Sequence, residues 1–346
     1  MNENTQKLTE WAIHKIKTEY PDDVALLVAI EGHSVDGDGH GECFDYFVPA
    51  TERGNELSQT FIIEGIGHDL YPRSWERTER TARLEDRATL CLGNAKILYS
   101  RSKEDEERFE SIRQQLFRNL EDKAFVYKKA LEGLNVAMDL YRTMMFEDSF
   151  YKVRMAVGYV NHYLAVAVGY INGSYFKDWR DGQLAELIKM ELLPSNFIEY
   201  YKAVVNAKTT HEMKSLAHLL ISTTREFLAE QKPQKPELER VVNYLGLAEW
   251  YQELSLTFRR LRYYCDIKHS EAAFIDAVNL QSELSIVEEE FNLEEMDLLS
   301  SFDSKDLENI KRQSQKLEQY IISEIERHGV QLNTYASLED FLKKNG

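Results

Sequence analysis

The sequence predicts an α+β protein: a small mixed β-sheet within the first hundred residues, then helical bundles to the end. Three observations lead there. Residues 24–30, Val-Ala-Leu-Leu-Val-Ala-Ile, form an unbroken apolar run, as expected of a strand covered on both faces. Residues 31–41 contain four glycines and no helical pattern. From residue 102 onward, apolar positions recur at helical spacing behind capping signals.

The elements follow in order. Residues 4–20 read as a helix with Leu8, Trp11, Ala12, Ile13 and Ile16 near one face, ended by Pro21. The apolar run 24–30 is the first strand. A second strand is expected over 43–48, closed by Pro49, and a third over 61–71, closed by Pro72. Ser74 is placed to cap a short helix over 75–84, and 95–99 reads as the last strand. Ser102-Lys103-Glu104-Asp105 has capping-box form and opens a long helix. Helices are expected over 122–145 and 148–171, the latter stopped by Asn172-Gly173. Thr209-Thr210-His211-Glu212 opens another, running to about Gln231. The lysine- and proline-rich segment 231–236 is the clearest linker. Helices over 236–266, 270–289 and 304–328 follow, and Ser337 caps a final short one. The expected domains are 1–101, 102–232 and 233–346.

Composition narrows the function classes. The chain has 346 residues and a net charge of −17. Such a field repels phosphate backbones, so nucleic acid is not an expected partner, whereas a cationic small molecule is attracted. Simple solubility is the better account of an acidic balance, since net charge says little about a specific pocket. The three cysteines, Cys43, Cys91 and Cys265, form no C-x-x-C pair, which suits a reducing compartment. The polar start and the polar interruption of 155–171 by Asn161 and His162 give neither a secretory signal nor a bilayer span. A cytoplasmic protein without a membrane partner is expected.

Two features of the first hundred residues point to chemistry. One is the glycine-rich loop directly after a buried strand, with Gly32, His33 and Ser34. The other is a carboxylate on each of two following strands, Asp45 and Asp69. Oxygen donors of this kind suit Mg²⁺, which takes few protein carboxylates together with phosphate oxygens and water. The segments Gly32-His33-Ser34, Phe44-Asp45-Tyr46-Phe47 and His68-Asp69-Leu70-Tyr71 resemble the nucleotidyltransferase superfamily, in particular its kanamycin- and lincosamide-modifying members. Ser74-Trp75-Glu76-Arg77 and residues 95–101 add to the likeness, which covers 24–101 best and continues loosely to about 230.

The resemblance implies a Mg²⁺-dependent transfer of a nucleoside monophosphate from a nucleoside triphosphate to a hydroxyl of a small molecule. Asp45 would bind metal, Asp69 would bind metal or act as base, and Gly32 to Ser34 would hold phosphate. Helices over 122–230 would wall the acceptor. Two departures stand out. The serine of the family's Gly-Ser pair comes one place late. The family's Asp-x-Asp pair is broken: its second member is Phe47 if Asp45 is the first, and its first is Cys43 if Asp45 is the second. In a regular strand i and i+2 share a face, so one metal ligand is missing either way. A weakened enzyme and a non-catalytic binding or regulatory protein, for instance a homodimer, are both expected outcomes. A helical scaffold is the third class.

Other groups read as structural. Arg73, Arg77, Arg80, Arg83 and Arg87 are expected on a helix face paired with Glu76, Glu79 and Glu85. His162 reads as a core histidine, and the tyrosines 159, 163, 170 and 175 as core and groove lining. His211 and His218 lack a further ligand, and Cys265 has no histidine nearby.

Overall fold

The computed structural model describes residues 3–30, 44–63, 65–177, 182–233 and 243–346. The chain divides into two compact units, Met1–Gln234 and Lys235–Gly346.

The first unit opens with helix α1 (Glu3–Glu19), followed by strands β1 (Val24–Ile30) and β2 (Phe44–Pro49). After the 3-10 turn Glu52–Leu57 come β3 (Gln59–Ile63) and β4 (Ile66–Pro72). Helices α2 (Trp75–Ala82) and α3 (Leu90–Gly93) precede the last strand, β5 (Ala95–Ser100). The sheet order is β3-β4-β2-β1-β5, and it is mixed: β2 and β4 run parallel, while the other neighbours run antiparallel. Every residue of the interior strand β1 is buried, as an uninterrupted apolar run requires.

The sheet has a core on each face. On one, Ala12 and Ile16 of α1 cover Leu27, Phe47 and Leu70. On the other, Leu26, Val28, Tyr46 and Val48 pack with Leu92 of α3 and with Phe109 and Leu116 of α4 (Lys103–Glu121).

The rest of the unit is a bundle of α5 (Lys123–Met145), α6 (Phe150–Ile171), α7 (Gln183–Ile188), α8 (Phe197–Asn206) and α9 (Thr210–Glu230). Ala137, Val157, Leu164, Phe197 and Leu220 lie in its core. The second unit packs α10 (Tyr244–Asp266), α11 (Ser270–Phe291) and α12 (Glu308–Arg327) around Phe258, Leu261, Leu280, Leu284 and Ile321, and ends in α13 (Leu338–Asn345).

The capping signals work as written. Ser74, Ser102, Thr209 and Ser337 each accept a hydrogen bond from the backbone N–H three residues on, at 3.1 Å in every case. Several expectations change: the short helices α3, α7 and α8 have no counterpart among those expected, and the helix expected from 304 begins at Glu308. The single strand over 61–71 is a hairpin: Thr60 pairs with Asp69 and Ile63 with Ile66. Gly65 turns the chain at φ +85°, a backbone region open to glycine at little steric cost. The helix expected from 236 begins at Tyr244, the residues 234–242 lying outside those described.

Candidate functional site

Asp45 owes its direction to an irregularity in β2. Val28 of β1 pairs with Tyr46 and Ala29 pairs with Phe44, so Asp45 is an extra residue opposite the β1 backbone. Such a bulge puts two consecutive side chains on one face. Phe44 and Phe47 therefore join the core under α1. Asp45 lies with Tyr46 on the other face, where the Tyr71 hydroxyl donates to its Oδ2 at 3.0 Å and Cys91 Sγ lies 3.7 Å from the same oxygen. Position 47 of the broken Asp-x-Asp pair is thus not a cleft position at all. The premise that 45 and 47 share a face holds for a regular strand, and β2 is not one here.

Three protonated groups surround this carboxylate. Burial pushes the Cys91 thiol up to about 12, with the Asp45 charge next in effect. Tyr71 is pushed up by burial and then by Asp45. Tyr46 is raised by burial against an opposing pull from Arg73, and its hydroxyl donates to the Cys91 carbonyl oxygen at 2.7 Å. Tyr71 and Cys91 keep their protons and are donors to the carboxylate.

Asp69 is exposed on β4. The parallel register matches Tyr46 with Tyr71 and Phe47 with Pro72. Asp45 is then level with Leu70, and Asp69 is one residue earlier on the adjacent strand. Leu70 belongs to the core under α1, so alternation turns Asp69 and Tyr71 to the opposite face, the face of Asp45. Gly32, His33 and Ser34 lie outside the described residues, as do Cys43 and the acidic loop residues Asp36 and Asp38. Among the described residues, no group of three or more His, Cys, Asp or Glu side chains converges as a metal centre.

The arginines do not form one salt-bridged face. Arg83 pairs with Glu85 at 3.1 Å and Arg80 approaches Glu85 at 4.0 Å. Glu79 is instead bound by Arg108 of α4 at 3.0 Å, and Arg77 pairs with Asp86 at 2.7 Å. Burial works to raise the Asp86 carboxyl, but the Arg77 hydrogen bond and the Ala88 N–H prevail and hold it below its usual range.

Arg73 is completely buried. Its Nη2 donates to Thr81 Oγ1, its guanidinium lies 5.6 Å from the Tyr46 ring centre, and Asp86 is 3.5 Å away. Its Nε and Nη1 have no hydrogen-bond partner among the described residues. In sequence Arg73 looked like any member of the cluster. The one local sign of its burial is its place directly after Pro72, at a strand end.

Next to this region is a cavity of about 1060 Å³. Its walls come from the segment after α2, from α5 and α6, and from Tyr175, Phe176 and Gln183. Tyr159, Tyr163, Tyr170 and Tyr175 all line it, as do Arg87, Arg154 and His162. Neither Asp45 nor Asp69 lines it. The link is α3, where Leu90 faces the cavity and the next residue, Cys91, touches Asp45. Burial, then the charge of Arg87, lowers the His162 pKa.

No protein-family model matches the chain, and no curated protein matches it. Among solved structures, a nucleotidyltransferase-like protein from Exiguobacterium sibiricum 255-15 is similar at a TM-score of 0.37 and 13% identity, over 64% of this chain and 75% of that one. A likeness that weak decides nothing about fold or chemistry.

Proposed function

We propose that the first unit is a nucleotidyltransferase-type module. It would transfer a nucleoside monophosphate from a nucleoside triphosphate to a hydroxyl of a small molecule, slowly for want of a second metal-binding carboxylate on β2. The observation that carries this reading is the parallel register of β2 and β4. It supports a site in which Asp45 and Asp69 project from adjacent strands on one face, with a ligand-sized cavity alongside.

The donor set fits Mg²⁺. Both groups are carboxylates, hard oxygen donors, and two hydrogen-bond donors, Tyr71 and Cys91, orient the Asp45 side chain. Asp45 would hold the ion, and Asp69 would either join it there or serve as the base. When bound, the ion neutralises the charge that develops on the transferred phosphoryl group. The protein's own part is to orient and to move one proton. As the base, Asp69 takes the proton from the acceptor hydroxyl, that oxygen bonds to the α-phosphorus, and the bond from the α-phosphorus to the bridging oxygen breaks, releasing pyrophosphate. Gly32, His33 and Ser34 would hold the phosphates through backbone amides and a hydroxyl.

The deciding measurement is titration calorimetry of the full chain with each nucleoside triphosphate, with and without Mg²⁺. Metal-dependent binding is expected, and Asp45→Asn should abolish it. Nucleotide binding indifferent to both Mg²⁺ and Asp45 would place the site elsewhere. A second reading, binding without transfer, is favoured by Phe47 lying in the core under α1, which leaves β2 one described carboxylate on the site face. It predicts bound nucleotide with no pyrophosphate release.

A further inference from the structure

The cavity next to α3 has a charge pattern opposite to that of the chain. The molecule as a whole carries −17. Within the lining, however, the carboxylates are spoken for. Asp86 pairs with Arg77 at 2.7 Å and Glu132 with Lys129 at 2.9 Å. Glu85 is held from outside the cavity by Arg83 at 3.1 Å. Two lining arginines, Arg87 and Arg154, have no carboxylate partner among the described residues.

Their settings differ. The Arg87 guanidinium lies over the Tyr163 ring, 4.2 Å from its centre. Stacking of this kind fixes the plane of the fork and leaves its N–H groups for an anion. Arg154 donates through Nη2 to the Ala207 carbonyl oxygen and lies over Phe150 at 4.8 Å. It is two helical turns before His162 on the same face of α6, roughly 12 Å along the axis.

His162 adds a donor at the Arg87 end. Tyr201 donates its hydroxyl to Gln183 Oε1 at 2.9 Å. The amide NH₂ of Gln183 then faces His162 Nδ1 at 3.4 Å. With the amide in that orientation Nδ1 accepts, which leaves the ring proton on Nε2 as the donor toward the cavity. The remaining lining near these groups is apolar or aromatic, including Met155, Tyr159, Val166 and Phe176.

We propose that this cavity binds a small organic anion, a phosphate monoester or a carboxylate, whose charged end meets Arg87 and His162 and whose ring or alkyl body lies among the tyrosines of α6. In the transfer reaction proposed above this molecule is the acceptor; only that role rests on that reading, and the anion site stands without it. The local arginines, and not the summed charge, select the ligand, because a pocket with low-dielectric walls samples the charges that line it.

The test uses the full chain, without Mg²⁺, and three probes of one shape: phenyl phosphate, phenylacetate and phenethylamine. Calorimetry should give binding for at least one of the two anions and none for the amine, and the tighter anion names the group. Arg87→Gln should weaken the anion about tenfold or more, the loss expected for a charged hydrogen-bonding partner. Arg87 is exposed, so this variant should fold, and His162→Gln gives a second reading at the same end. Equal binding of the amine, no binding of either anion, or anion binding that survives Arg87→Gln would each overturn the proposal. A further titration with Mg²⁺–ATP separates the two readings. Competition between ATP and the anion would give the arginines to the nucleotide's own phosphates and overturn the acceptor role. Anion binding with no Mg²⁺–ATP binding at all would sink nucleotidyl transfer and leave the anion site standing.

Discussion

Position 47 shows how far one residue can mislead. A strand read as regular makes Phe47 the site of a lost aspartate. The bulge at Asp45 turns Phe47 into the core with Leu27, Leu57 and Leu70, where it is fully buried. Phe47→Asp is therefore expected to destabilise, not to restore a ligand. Emptying such a site costs about 3–5 kcal/mol before the carboxylate's own desolvation is counted. Urea unfolding should show a loss of at least that size, with no gain in turnover; a well-folded, faster variant would mean that β2 is regular in solution. His162 gives a pH prediction. Its pKa lies below the ordinary 6.5, first because burial disfavours the charged ring and then because Arg87 does. As pH falls through that value the unfolded chain takes up a proton that the folded chain resists. The stabilisation is thus present at neutral pH and lost in acid. The urea midpoint should drop between about pH 7.5 and about pH 5.5 by more in the wild type than in His162→Gln. An equal drop in both would assign the acid sensitivity to other groups.

At the scale of elements, the turn after β2 is tied to the start of β1 by a dense set of contacts. The Asp23 carbonyl oxygen accepts from Ala50 N at 2.7 Å, and its carboxylate binds the Thr51 hydroxyl and Arg53 Nη1, each at 2.6 Å. Gly54 makes this approach possible. A Cβ there would stand 2.2 Å from the Asp23 carbonyl oxygen and 3.2 Å from Pro49 Cβ. Neither neighbour is a loose side-chain end, so Gly54→Ala must shift backbone. A loss of about 1–3 kcal/mol is expected in denaturant unfolding, the range for overpacking. A neutral result would show that the 3-10 turn can move off β1 freely. The β3–β4 hairpin carries a related lesson. The stretch 61–71 has strand composition throughout, and the turn is decided by Gly65, whose φ of +85° lets the chain reverse there.

At the scale of the whole molecule, two separate sets of cores imply two separable stabilities. The sheet and the bundle over α5–α9 are filled within the first unit, and α10, α11 and α12 fill their own core in the second. A chain ending at Pro233 and a chain beginning at Asn243 should each be helical by circular dichroism and melt cooperatively. The first should retain any Mg²⁺-dependent nucleotide binding of the full chain. A first piece that fails to fold without the second would show that the two cores are thermodynamically one.

The sequence by itself determined the α+β class, the order of the long elements and the starts of the helices that open on a capping side chain, but not the short helices α3, α7 and α8. What it determined depends on neighbours along the chain: an unbroken apolar run makes β1, and a serine or threonine three residues before an N–H makes a cap. It also marked Asp45 and Asp69 as the carboxylates worth following. Only the tertiary structure decided which face each residue serves. The bulge in β2 depends on its pairing with β1, and a one-residue slip exchanges the two sides of a strand. The burial of Arg73, the separation of Arg77 and Arg87 into paired and unpaired cations, and the cavity between α5, α6 and the segment after α2 depend on residues brought together from distant parts of the chain. No local pattern records those contacts, because the physical chemistry of a pocket is set by what surrounds it in space.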